Sequence, residues 1–152
     1  MPDFMEQRRL ARLIDKTTQQ LGELPVPEKG WIATVRRALG MSAEQVALRK
    51  GVSRNAVYQA ERSEKEGAVS LKQMELLAKA MGGRFVYAIV PDGRIEDIKY
   101  RQALLKARQL ITSEPDFASW PSDEVQDWIE DKAAELLHDM PQTFWESSER
   151  KA

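Results

Sequence analysis

Two helix-capping serines on either side of a single glycine constrain this chain more than anything else in it. They are Ser42, Gly51 and Ser53, in the stretch GMSAEQVALRKGVSRNAVYQAER from Gly40 to Arg62. The Ser42 hydroxyl can accept from the open amides of a helix that begins after it, and Gln45, three residues on, can reach back to close a capping box. That helix is expected to run to about Lys50. Gly51 then stands where the chain must reverse, a place that a residue without Cβ enters at positive φ without steric cost. Ser53 caps a second helix. Val46, Ala47, Val52, Val57 and Ala60 fall at spacings that point them inward, and Ala47 is small enough to let two helices approach closely.

This leaves Arg54, Asn55, Tyr58, Gln59 and Arg62 on the outward face of the second helix. An ordinary helical hairpin can carry a polar face that meets only water. These side chains, however, suit base edges: Arg forks onto the two major-groove acceptors of guanine, and Asn or Gln matches the donor and acceptor pair of adenine. A helix reaches bases with its N-terminal part, and its open amides and positive dipole favour a phosphate there.

On these residues, Trp31 to Val90 resembles the helix-turn-helix domain of the phage-repressor-like, or Xre, transcription factors. The resemblance implies DNA contacts at Ala43, Ser53, Arg54, Asn55, Tyr58 and Gln59. With the capping Ser42 and the outward Arg62, these complete the candidate DNA-binding set. Ala43 departs from the family, which often places a Gln there, so that contact is expected to be lost. Lys50 stands where the family buries a Leu, and its stem is expected to pack while the ammonium reaches solvent. Arg36 and Glu61 match an ion pair that ties the first helix of the domain to the reading helix.

Composition sets outer bounds. At 152 residues and 42% hydrophobic content the chain suits a folded protein with one good core or a small domain with extensions. The absence of Cys excludes disulfides, thiol catalysis and Cys-based metal sites, and fits a reducing cytoplasm. Charges interrupt the first thirty residues, and no apolar run reaches spanning length, so neither a secretory segment nor a membrane span is expected and the protein is placed in the cytoplasm. Net charge is −1, yet between Trp31 and Arg62 the bases Arg36, Arg37, Arg49, Lys50, Arg54 and Arg62 face only Glu44 and Glu61. A locally basic face on a neutral chain can still bind phosphate. His138 is the single histidine, and no nucleophile with a base, glycine-rich phosphate loop or metal-ligand cluster is visible, so neither an enzyme nor a cofactor is expected.

The fold expected is mainly α: a helix-turn-helix bundle over 31–82 followed by one β-strand in 83–91, with helical extensions over 1–30 and 92–152. Asp3 to Leu21 has a helical period, with Phe4, Leu10, Leu13, Ile14 and Leu21 apolar and a basic face of Arg8, Arg9, Arg12 and Lys16 that is either solvated or flanks a DNA backbone. Leu24 to Gly30, with two prolines, reads as an extended connector. Trp31 to Leu39 is a helix, Arg62 to Val69 a polar loop, and Ser70 caps a helix whose inner face is Leu71, Met74, Leu77, Ala78 and Met81. Phe85, Val86, Tyr87, Ala88, Ile89 and Val90 form an apolar run ended by Pro91, which reads as a strand. It either pairs antiparallel with its copy to make a homodimer or packs on its own domain. A dimer would bind an inverted repeat with half-sites about one turn, on the order of 34 Å, apart. Further on, Ile95, Ile98, Leu104, Leu105 and Ile111 form one stripe. A helix from about Asp123 to Met140 buries Val125, Trp128, Ile129, Ala133, Leu136 and Leu137, and Phe144 and Trp145 either fold back or anchor a partner.

A wider likeness is carried by PEKGWIATVRRALGM over Pro27 to Met41, FVYAIVP over Phe85 to Pro91, and Ile95-Glu-Asp97. On these runs the chain resembles the small proteins called mobile mystery protein A, which are encoded beside a Fic-domain protein in an arrangement like a toxin and antitoxin pair. The resemblance implies an autorepressing antitoxin with a Fic-domain partner that transfers AMP. Alternatively, the chain is chiefly a protein-binding inhibitor that holds such a toxin through its C-terminal helices. The inhibitory motif of many Fic inhibitors, Ser or Thr four residues before a Glu followed by Gly or Asn, is absent: the single such dipeptide is Glu66-Gly67, and Arg62 stands four residues before Glu66.

Overall fold

Four helices begin directly after a side chain that accepts an amide of their first turn. Asp3 Oδ1 accepts from Glu6 N at 2.8 Å, Ser42 Oγ from Gln45 N at 3.1 Å, Ser53 Oγ from Ala56 N at 3.2 Å and Ser70 Oγ from Gln73 N at 3.1 Å. Each contact satisfies a donor that the helix itself leaves open. The structure, a computed structural model, describes residues 3–146. Within them the helices are α1 (Phe4–Leu21), α2 (Trp31–Ala38), α3 (Ala43–Lys50), α4 (Arg54–Glu66), α5 (Leu71–Ala80), α6 (Ile95–Leu110) and α7 (Ser122–His138). They form two units: 23–89, which holds α2 to α5, and 1–22 with 90–152, which holds α1, α6 and α7.

The core of the first unit joins Ile32, Val46, Val57, Met74, Leu77 and Met81 with the small Ala43, Ala47, Ala60 and Ala80. Val46, Ala47, Val57 and Ala60 are buried as their spacing requires, whereas Val52 is 38% exposed because it lies in the turn between α3 and α4. Helix α4 overturns the expected polar loop from Arg62: it continues to Glu66 and stops at Gly67, which adopts the left-handed conformation. Arg62 to Glu66 contains no glycine or proline to break the helix. The extra turn also has a tertiary role. Gly30, the residue before α2, has no side chain with which to cap it. Glu64 instead lends its carboxylate from α4, with Oε2 accepting from Trp31 N at 2.5 Å and Oε1 from Ile32 N at 2.8 Å. Gly30 is at φ +82, and a Cβ there would lie 2.9 Å from the Glu64 carboxyl carbon. One turn earlier on α4, Glu61 Oε1 takes the Arg36 Nε hydrogen at 2.6 Å, and Arg36 Nη1 also donates to Met41 O at 3.0 Å.

No strand is present among the described residues, which corrects the β-strand expected over Phe85 to Val90. The segment still has the side-chain alternation of an extended chain, since Phe85 and Tyr87 stack at 5.8 Å. Residues 84–91 nevertheless make no backbone–backbone hydrogen bond within the described part of the chain. A strand exists only as a ladder with a neighbour, and none pairs with this segment among the described residues. Burial on its own domain is also excluded for most of the run. Phe85 packs partly against the core, while Val86, Tyr87 and Ile89 are 68%, 68% and 90% exposed.

In the second unit α6 and α7 meet through Ala103, Ala107 and Ala133, all fully buried, together with Ile111, Ile129, Leu136 and Phe144. Of the expected stripe Ile111 is buried in this core and Leu104 packs against it, whereas Leu105 is 47% exposed; Ala103 and Ala107, at i and i+4, join the contact because their small side chains allow close approach. Phe144 folds back onto this core and its carbonyl accepts from Gln102 Nε2 at 2.7 Å, while Trp145 remains 55% exposed. Helix α1 packs on α6, where Asp15 Oδ1 accepts from Ile95 N at 3.0 Å. Ala11 is the residue that α1 buries; of the expected apolar positions Ile14 and Leu21 are half-buried and Phe4, Leu10 and Leu13 are exposed, as is Met5.

Removing the borrowed cap is expected to destabilise the first unit. Glu64→Ala should cost about 1–2 kcal/mol by leaving two amides open and removing a negative charge from a helix N-terminus. Gly30→Ala should cost at least as much, roughly 1–3 kcal/mol, through its left-handed φ and the collision with Glu64. Thermal unfolding of the two variants checks this, and unchanged midpoints in both would show that Glu64 does not hold α2.

Candidate nucleic-acid interface

Gly51, at φ 81 and ψ 35, turns the chain between α3 and α4 in the left-handed conformation. Its amide and that of Val52 both donate to Ala47 O, at 2.8 and 3.0 Å, which closes the end of α3 before Ser53 opens α4. Burial of Val57 and Ala60 then sets which face of α4 turns inward. Arg54, Asn55, Tyr58, Gln59 and Arg62 are left exposed along one stripe with Ser53 at its head. All have donors or acceptors suited to base edges or phosphate.

Of the remaining candidates, Ser42 is exposed, but its hydroxyl and its own amide are engaged with Gln45 in a complete capping box. Ala43 is 1% exposed and belongs to the helical core, so its side chain presents no atom to a ligand. That corrects its place among the expected contacts. An alanine at the first position of α3 closes the bundle, where a long polar side chain would emerge from it. Phe85 to Val90 lie apart from the stripe, in the extended segment after α5.

The basic residues divide by environment. Arg36 is held by Glu61 and packs beside the Tyr58 ring at 5.9 Å. Its guanidinium is kept above its ordinary pKa by the hydrogen bond to Glu61, with burial opposing and the Glu61 charge assisting. The pair therefore positions α4 rather than offering a free cation. Arg49 donates from Nε to Ala80 O at 2.6 Å, so it closes the end of α5. Arg37, Arg54 and Arg62 remain exposed, without a hydrogen bond or ion pair among the described residues. Lys65 joins them. The extra turn of α4 puts Tyr58, Arg62 and Lys65 at i, i+4 and i+7 on one face. The expected loop concealed that alignment; the helix-forming composition of Arg62 to Glu66 was the signal for it.

Among the described residues no group of three or more His, Cys, Asp or Glu side chains is placed to hold a metal ion, and no helix is long and apolar enough to cross a membrane. No curated protein and no solved structure matches the chain. A family model described as Helix-turn-helix matches residues 32–87, which takes in α2 to α5 and the start of the extended segment. Domains of this kind are typically DNA-binding and non-enzymatic. Residues 32–87 thus form an Xre-type helix-turn-helix domain.

Proposed function

We propose that this protein is a sequence-specific transcriptional regulator that reads each half of an inverted-repeat operator with Arg54, Asn55, Tyr58 and Gln59 of α4 and works as a homodimer. The observation that carries the reading is the exposed stripe on α4, held in orientation by Arg36–Glu61 and Glu64 and headed by a serine-capped N-terminus. Base edges are read by just this combination of a rigid helix and free amide, guanidinium and phenol groups.

Dimerisation is supported by two adjoining features of the unit 23–89. The segment Val86 to Ile89 has unpaired backbone groups and exposed apolar side chains. Beside it an open groove of about 480 Å³ is lined by Leu24, Trp31, Val35, Leu39, Met81 and Phe85. A second copy pairing its own segment across a twofold axis satisfies the first and covers the second.

A second reading follows from the resemblance to mobile mystery protein A: an antitoxin that also holds a Fic-domain protein. The exposed Phe4, Met5 and Leu13 of α1 favour a protein partner on the other unit. Co-elution of the purified chain with the Fic-domain protein encoded beside it, lost on Phe4→Asp, is the outcome expected of that reading. Separate elution of the wild-type proteins would remove it.

For the principal reading, Arg54→Ala or Gln59→Ala should cost about 1–3 kcal/mol of binding at one base position of the operator and relax specificity there. Equal losses on operator and random DNA would refute base reading. For the dimer, Ala88→Pro removes a ladder donor and Ile89→Asp places a charge at a position 90% exposed in one chain. Both variants should sediment as monomers where the wild type is a dimer; an unchanged mass in both would sink the pairing.

A further inference from the structure

Beside the reading stripe, α2 and α4 enclose a concave surface of about 310 Å³. Its rim is Lys29, Arg37, Arg62 and Lys65, with Tyr58 and the small Ala33 between them. Glu61 is the single carboxylate in the lining, and Arg36 already neutralises it at 2.6 Å. Lys29, Arg37, Arg62 and Lys65 are all exposed and have no hydrogen bond or ion pair among the described residues. Four free cations thus converge on one hollow without an internal counter-charge, and their mutual repulsion there is offset only by an anion from outside.

We propose that this hollow seats a backbone phosphate of DNA next to the bases read by α4, which makes Lys29, Arg37 and Lys65 DNA-contacting residues alongside Arg62. The inference rests on the DNA-reading function proposed for α4. A phosphate has the chemistry the rim lacks: a negative charge and acceptor oxygens for guanidinium forks, ammonium groups and the Tyr58 hydroxyl. Continuity with the stripe selects a phosphate that belongs to DNA. Tyr58 and Arg62 border both surfaces, so one α4 can offer its N-terminal half to bases while its C-terminal half and α2 grip the backbone. Such a contact sets register and orientation and carries no sequence information.

The test is the salt dependence of binding by the full chain to its own promoter DNA and to random DNA, from about 50 to about 200 mM salt. The seat neutralises one phosphate, so removing two of its cations in Arg37→Ala/Lys65→Ala should make the slope of log K against log salt shallower by up to about 0.9, the worth of one contact. The loss should be the same on both DNAs, unlike that of Arg54→Ala, and the charge-keeping Arg37→Lys/Lys65→Arg should retain the wild-type slope. A preserved promoter preference with an unchanged slope in the double alanine variant would overturn the phosphate seat while leaving the reading function standing. Wild-type binding without preference, with the slope still reduced in the variant, would overturn base reading and support the seat. Inorganic phosphate competing with DNA at constant ionic strength, in the wild type but not the double variant, would support the seat, since a free anion displaces DNA through the hollow only if DNA occupies it. Absence of any DNA binding would overturn both.

Discussion

The carboxylate of Glu64 across the N-terminus of α2 is the contact on which the geometry of the helix-turn-helix unit depends. A glycine before α2 leaves the first amides of that helix without a local acceptor, and α4 supplies one through a side chain more than thirty residues away in sequence. The interaction works in both directions. It satisfies α2, and it ties the C-terminal turn of α4 to a second helix. The Arg36–Glu61 pair, one turn earlier on α4, fixes the same two helices at another point. Two tethers at different heights restrain rotation of α4, which the buried Val57 and Ala60 alone would leave to packing tolerance.

Charge on this unit is divided between holding the fold and facing solvent. Arg36 and Arg49 close structural contacts, to Glu61 and to the C-terminal end of α5, and so do not add to the free basic surface. What remains is concentrated around α4, where Arg54, Arg62 and Lys65 follow the helix and Lys29 and Arg37 stand across from its C-terminal half. The net charge of −1 for the whole chain conceals this arrangement, because the field a ligand meets is set by the cations within about a Debye length of it.

Much of the helical architecture was legible in the residues because its signals are local. Ser42, Ser53 and Ser70 cap where a serine followed by an open amide must cap, Gly51 turns where positive φ is needed, and the inward set on α3 and α4 follows from helical spacing. The failures were of another kind. The turn from Arg62 to Glu66 was read as loop because it is polar, yet polarity marks exposure and not the absence of helix. Ala103 and Ala107 escaped notice because a stripe of larger residues on α6 looked like the core, while the helices also meet where side chains are smallest. Ala43 passed as a DNA contact by position, although its methyl group closes the core.

By itself, then, the sequence determined the starts and serine caps of α3, α4 and α5, the turn between α3 and α4 and the side chains that α4 turns outward. All of these rest on interactions spanning three or four residues. The tertiary structure decided which charges are spent on the fold, that Glu64 caps α2, that Ala43 is buried and that Phe85 to Val90 is extended but unpaired. Each of these depends on groups brought together from distant parts of the chain, or on a hydrogen-bonding neighbour absent among the described residues, and neither is encoded in the spacing of adjacent residues.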